Sequence, residues 1–145
     1  MATLDDVRAI ATALPETFEK VDGHRGGATW RTRNGAFVWE RRPGKTDLAQ
    51  LAAARRTWPD GTVVALRTDG LTAKDELLAA LPDAVFTIPH FDGFPAVLVR
   101  LDAVDRNLLA ELIADAWLLR APRAVAAAWL AEHGDPQHPG TVTPP

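Results

Sequence analysis

The chain has 145 residues, 47% of them hydrophobic and 24% charged, with a formal net charge of −3, which suits one soluble domain with a core of its own. It has no cysteine, so disulfides, thiolate metal sites and cysteine nucleophiles are excluded. The opening MATLDDVRA has no signal-peptide pattern, and no stretch reaches the roughly 20 apolar residues of a membrane span, so the expectation is a cytoplasmic protein with no membrane contact.

Thr3 reads as a helix cap, with Asp5 and Asp6 in a first turn where carboxylates suit the dipole. Leu4, Val7, Ile10, Ala11 and Leu14 follow at helical spacing up to Pro15. Thr17–Val21 reads as a strand, Asp22-Gly23 as a turn, and His24-Arg25-Gly26-Gly27 as a flexible connection with a basic tip. Strands of about residues 28–33 and 36–42 then flank Asn34-Gly35, the dipeptide favoured by two-residue type I′ hairpins. That register sets Trp30 opposite Trp39. It places Trp30, Thr32, Phe37 and Trp39 on one face and Thr29, Arg31, Arg33, Val38 and Glu40 on the other.

After Pro43-Gly44, Thr46 or Asp47 caps a second helix that runs to about Arg56. Thr62–Thr68 is a strand, and Thr72 with Asp75 makes a capping-box pattern for a short helix to Leu81. Ala84–Ile88 and Ala96–Leu101 are strands on either side of the turn-forming Asp92-Gly93. Asp102 or Asp105 opens a long helix with a broad apolar stripe from Leu108 to Leu119. Pro122 starts a last helix, which Gly134 ends. Residues 135–145 hold four prolines and no periodicity, so one domain over residues 1–134 with a disordered tail is expected. Hairpins dominate over helical crossovers. The fold class is therefore α+β, a two-layer sandwich of a largely antiparallel sheet with helices packed on one face.

Residues 24–67 carry nine basic and three acidic side chains, net +6, while the rest of the chain is net −9. Such polarity gives either a local positive field or a merely solvated surface. His24, His90, His133 and His138 lack metal-ligand spacing, so no metal and no other cofactor is expected. His90 and Asp92 share one turn with no partnered nucleophile, which points away from catalysis. The aromatic residues allow two readings. Either they fill the core, or Trp30, Trp39, His90, Phe91, Phe94, Trp117 and Trp129 line a cleft between the sheet and the C-terminal helices that stacks a flat ligand.

The segments LPETFE, GGATWRTRNGAFVWERR, FTIPHFDGFPAVLVRL and DRNLLAELIADAWLLRAPRAVAAAWL resemble the MmcQ/YjbR family across nearly all of residues 4–132. The resemblance implies a compact two-layer α+β domain, similar to CyaY-like and secretion-chaperone-like arrangements. By likeness to a double-wing domain it also implies DNA binding. The chain departs from the family where a basic residue, His and Trp often precede the last strands: here the run is His90-Phe91-Asp92-Gly93-Phe94-Pro95. Charge and resemblance together lead to the expectation of a non-enzymatic binder of double-stranded DNA with little sequence specificity. Arg25, Arg31, Arg33, Arg41, Arg42, Lys45, Arg55 and Arg56 would hold phosphates. The alternatives are a small aromatic molecule in the aromatic cleft, or a protein partner, which the secretion-chaperone-like shape suggests.

Overall fold

Every strand pairing in the computed structural model, which describes residues 1–21 and 26–134, is antiparallel. The strands are β1 (Phe18–Lys20), β2 (Thr29–Thr32), β3 (Gly35–Glu40), β4 (Val63–Arg67), β5 (Val85–Phe86) and β6 (Ala96–Arg100), in the sheet order β1-β2-β3-β4-β6-β5. The helices are α1 (Leu4–Ala13), α2 (Lys45–Ala53), α3 (Gly70–Ala80), α4 (Arg106–Leu118) and α5 (Arg123–His133). The fold is α+β, as the pattern of hairpins implies. Arg25 and the tail from residue 135 lie outside the described residues.

Local chemistry sets the helix ends. Asp6 N–H donates to the Thr3 hydroxyl at 3.2 Å, and Thr3 N–H donates to the Asp6 carboxylate at 2.9 Å, a reciprocal capping box. Leu108 N–H donates to Asp105 at 2.8 Å to start α4, and Gly134 ends α5 at a φ of 74°.

Side chains alternate along the central strands and so feed two cores. Val64, Leu66, Val97 and Val99 join Trp30, Phe37, Val38, Leu109, Ile113 and Trp117 beneath α1, α3, α4 and α5. Val63, Ala65, Ala96 and Leu98 join Leu51 of α2 with Ile88 and Phe91 on the opposite face. Four of the five described helices thus lie on one face, as expected, and α2 crosses to the other. There α2 and a 3-10 turn over Pro89–Phe91 cover the β4–β6–β5 half. Among the described residues no helix covers the β1–β2–β3 half of that second face. Among the described residues no helix is long and apolar enough to cross a membrane.

The hairpin corrects the sequence reading. Arg33 and Asn34 both keep negative φ, so the turn is not type I′; only Gly35 is positive, at 134°. The cause is Thr32, whose hydroxyl accepts from Asn34 N–H at 3.0 Å and closes the turn one residue early. Thr32 therefore pairs with Gly35 and Arg31 with Ala36. A bulge then inserts Phe37, so that Trp30 faces Val38 and Thr29 faces Trp39. Phe37 and Val38, adjacent in sequence, both enter the helix-covered core. Trp39 goes to the other face, opposite Ala65. Trp30 and Trp39 are not neighbours, because a one-residue slip exchanges the faces.

Gly35 also meets the C-terminus of α4: a Cβ there would lie 3.3 Å from Arg120 Nε. Gly35→Val is expected to lower the unfolding free energy by about 1–3 kcal/mol, from the positive φ and that contact. A urea midpoint unchanged from wild type would refute this.

Candidate functional site

The half of the second sheet face that no described helix covers is where the pairing puts Thr29 and Arg31 of β2 with Trp39 and Ala36 of β3. Two adjoining hollows form there. Trp39, Arg41, His90, Phe91 and Phe94 line one of about 370 Å³. Thr29, Ala36, Trp39, Arg67, Phe94 and Arg120 line the other, of about 320 Å³. Trp39 and Phe94 are common to both, so the two make one trough with Trp39 in the middle.

The loop wall is fixed from below. Lys74 of α3 is buried, and its ammonium donates to the Phe91 carbonyl and, at 2.8 Å, to the Phe94 carbonyl. Burial pulls its pKa below the ordinary lysine value, against the opposing pull of Asp92 and Asp75. Phe91 and Phe94 meet edge to face at 5.4 Å. Phe94 remains 37% exposed although its backbone is tied down.

Arg41 and His90 share a carboxylate. Asp47 Oδ2 accepts from Arg41 Nη2 and from Gly44 N–H, each at 2.9 Å. His90 Nδ1 lies 3.2 Å from Asp47 Oδ1. An ionised carboxylate only accepts, so Nδ1 carries the proton and Nε2 is left for solvent or ligand. Burial alone would raise the Asp47 pKa, but the Gly44 and Arg41 hydrogen bonds hold it below the ordinary carboxylate value. The partner of His90 is thus Asp47, 43 residues away, and not Asp92, which belongs to the turn as its Asp-Gly sequence suggests. The chain has neither serine nor cysteine to serve as nucleophile beside this imidazole.

Cations edge the open face. Arg31 and Thr29 point the same way along β2, paired with Phe18 and Lys20 of β1. The Arg31 guanidinium lies 5.9 Å from the Phe18 ring centre, and that of Arg67 lies 5.2 Å from Phe94. Arg120 reaches round the hairpin and donates from Nε to the Ala36 carbonyl at 3.3 Å. Burial first, and the Arg120 charge second, push the Arg67 pKa below its ordinary value. Lys20, Arg31, Arg33, Arg67 and Arg120 form no ion pair among the described residues.

Several expected site residues are elsewhere. Arg41 is 4% exposed and committed to Asp47 beneath the Phe91 ring, so it is a structural cation and not a phosphate arm. Arg42 pairs with Glu40 at 2.9 Å, and Glu40 is on the opposite face from Trp39. Lys45 opens α2, exposed to solvent. Arg55 is exposed beyond the end of α2, and Arg56 donates to the Thr87 carbonyl beside β5. That places Arg56 four strand spacings from Arg31, about 19 Å across the sheet. Trp30 and Trp117 are wholly buried, with indole N–H groups on Glu19 and the Pro15 carbonyl. Trp129 edges Trp117 and stacks on His133. Trp30 and Trp117 are therefore core, Trp129 packs against its edge, and of the seven aromatic-site residues only Trp39, His90, Phe91 and Phe94 converge on one hollow. Sequence reasoning missed Arg67 and Arg120. Alternation in β4 puts Arg67 on the face of Val63 and Ala65, which is a signal; for Arg120 there was none.

No family model matches the chain. It is 41% identical over 134 residues to the uncharacterised protein Mb2600 of Mycobacterium bovis and equally to the uncharacterised proteins MT2646 and Rv2570 of Mycobacterium tuberculosis. The alignment covers 92% of this chain and 100% of each relative. Among solved structures it is similar to the Deinococcus radiodurans protein DR2400, a DUF419 domain, with a TM-score of 0.61 and 22% identity over 91% of this chain and 88% of that one. The likeness to DR2400 is one of fold. At 41% identity over their whole length, the relation to the mycobacterial proteins is closer: the chain belongs to the same family as Rv2570 and Mb2600.

Proposed function

We propose that this protein is an MmcQ/YjbR-type domain that binds nucleic acid through the open face of its sheet, without catalysis and with little sequence specificity. The observation that carries this reading is the row of cations, Lys20, Arg31, Arg33, Arg67 and Arg120, that form no ion pair among the described residues, on and beside an exposed aromatic face. Burial first and the nearby Arg120 charge second disfavour the charge on Arg67, and a bound phosphate offsets that cost. Guanidinium groups suit phosphate because their planar fork donates twice. The DUF419 domain of DR2400 falls in the YjbR/MmcQ-like group, which supports the resemblance. The basic hairpin keeps its role from the sequence reading, with Arg67 and Arg120 in place of Arg41 and the α2 terminus.

Phosphate contacts predict a linear fall of log affinity with log salt, about −0.9 per contact on duplex and about −0.7 on single strands. Three to five duplex contacts give a loss of roughly 40- to 500-fold between 50 and 200 mM salt. The double variant Arg31→Ala with Arg33→Ala is expected to flatten the slope by about 1.5 to 2, equally on unrelated sequences. Fluorescence anisotropy at several salt concentrations measures both. Absence of binding at low salt, or a slope untouched by the double change, removes the proposal. A second reading, a small flat ligand between Trp39, His90 and Phe94, is favoured by the 370 Å³ hollow, which is of ligand size.

A further inference from the structure

We infer that the open sheet face takes single-stranded nucleic acid, one base stacking on Trp39 against the Phe94 wall while the flanking phosphates meet Arg67, Arg120 and Arg31. This rests on the nucleic-acid reading above and names the form of nucleic acid that the same site holds.

Two features favour a single strand over a duplex. The first is the interleaving of rings and cations. Arg67 with Phe94 and Arg31 with Phe18 repeat the same pairing across the face, and Trp39 stands between them. Phe18 is 47% exposed and Phe94 37%, large apolar surfaces that phosphate contacts alone would leave in water. In a duplex the π-faces are already stacked, so these rings would have no partner. In a single strand each base offers one, whatever its identity, which accounts for binding without sequence preference.

The second is the hairpin. A two-stranded ribbon enters a major groove only if it projects. Here β2 and β3 are internal strands, and the turn is held down: the Thr32 hydroxyl and the Asn34 side-chain amide both donate to the Arg120 carbonyl. The ribbon is not free to act as a wing. The Phe94 wall is likewise set in advance by the two Lys74 hydrogen bonds, so less ordering is needed when a base arrives.

The test uses the full chain and labelled 12-mers of thymidine (dT12) and uridine (rU12), an abasic strand of the same backbone, a 12-base-pair duplex, and free thymidine monophosphate. At 50 mM salt, dT12, rU12 or both are expected to bind at least about 10-fold tighter than the abasic strand and the duplex. The preferred strand tells DNA from RNA, and either supports the inference. Trp39→Leu, which keeps an apolar group on the second core, and Phe94→Ala in the loop are each expected to lower strand affinity by about 5- to 100-fold. Both should leave the salt slope and the affinity for the abasic strand unchanged. Duplex and abasic strand binding as well as dT12, with Trp39→Leu silent, would overturn the inference and leave phosphate binding standing. Thymidine monophosphate binding as tightly as dT12 would overturn it in favour of a mononucleotide pocket. Failure of every probe would remove the nucleic-acid reading together with this one.

Discussion

Asp47→Ala is expected to lower the unfolding free energy by about 3–5 kcal/mol, a large part of the total for a domain of this size. The loss comes mainly from what is left behind. Arg41, 4% exposed, would keep its charge in the second core with its carboxylate gone. The same substitution strips Gly44 N–H of its acceptor at the start of α2 and His90 of its orienting partner. Replacing Arg41 and Asp47 together by leucine should cost less than Asp47→Ala alone, because no charge is stranded. Acidity is a second readout. The Asp47 pKa is lower in the folded chain than in the unfolded one, so its contribution is full above the unfolded value and disappears as pH falls through the folded value. Wild type should therefore lose stability below about pH 4, and Asp47→Asn should start lower but show a flatter acid limb. Urea midpoints at pH 7 and pH 3 for the three variants decide it. Parallel acid limbs for wild type and Asp47→Asn would show that the carboxylate contributes nothing.

Trp30→Ala and Trp39→Ala are expected to behave as substitutions in different places, although the hairpin pattern pairs them. Trp30 has no exposed surface and its indole N–H donates to Glu19 at 2.9 Å, so its removal should cost about 3–5 kcal/mol. Among the described residues Glu19 then keeps Arg8 as its side-chain partner. Trp39 is half-buried at the rim of the second core, and its removal should cost less than half as much. Chemical denaturation of both variants measures this contrast. Equal losses would contradict the bulge at Phe37, since only the bulge separates the two indoles.

The hairpin also shows where sequence and structure part. Alternation located both strands, and capping chemistry located α1, α4 and the end of α5, because those signals act within a few residues. The turn type was misread because Thr32 outcompetes Asn34-Gly35 through a hydroxyl hydrogen bond that the dipeptide rule omits. Charge counting misread Arg41. A run of basic residues records charge and not exposure, and the carboxylate that buries this one is six residues on and folded back over it. The ring cluster of Trp39, His90, Phe91 and Phe94 was partly legible as an aromatic loop beside a strand. Of its cations Arg67 had strand alternation as a signal, whereas Arg120 had none, since it reaches the trough only through tertiary packing beyond the end of α4.

The tie between the turn and the end of α4 has a consequence for the order of events during synthesis. A hairpin closes on its own within about 1–10 μs. The carbonyl that accepts from Thr32 and Asn34 belongs to a residue 88 and 86 positions downstream. At ordinary elongation rates of about 5–20 residues per second, that residue is made roughly 4 to 18 seconds later. For that interval the nascent ribbon has its strands but not its clasp, and the aromatic and basic face is open on an unfinished sheet. The chain thus closes its last contacts around its first hairpin only when the ribosome has moved past residue 120, which makes the region after α4 the step on which completion of the N-terminal half waits.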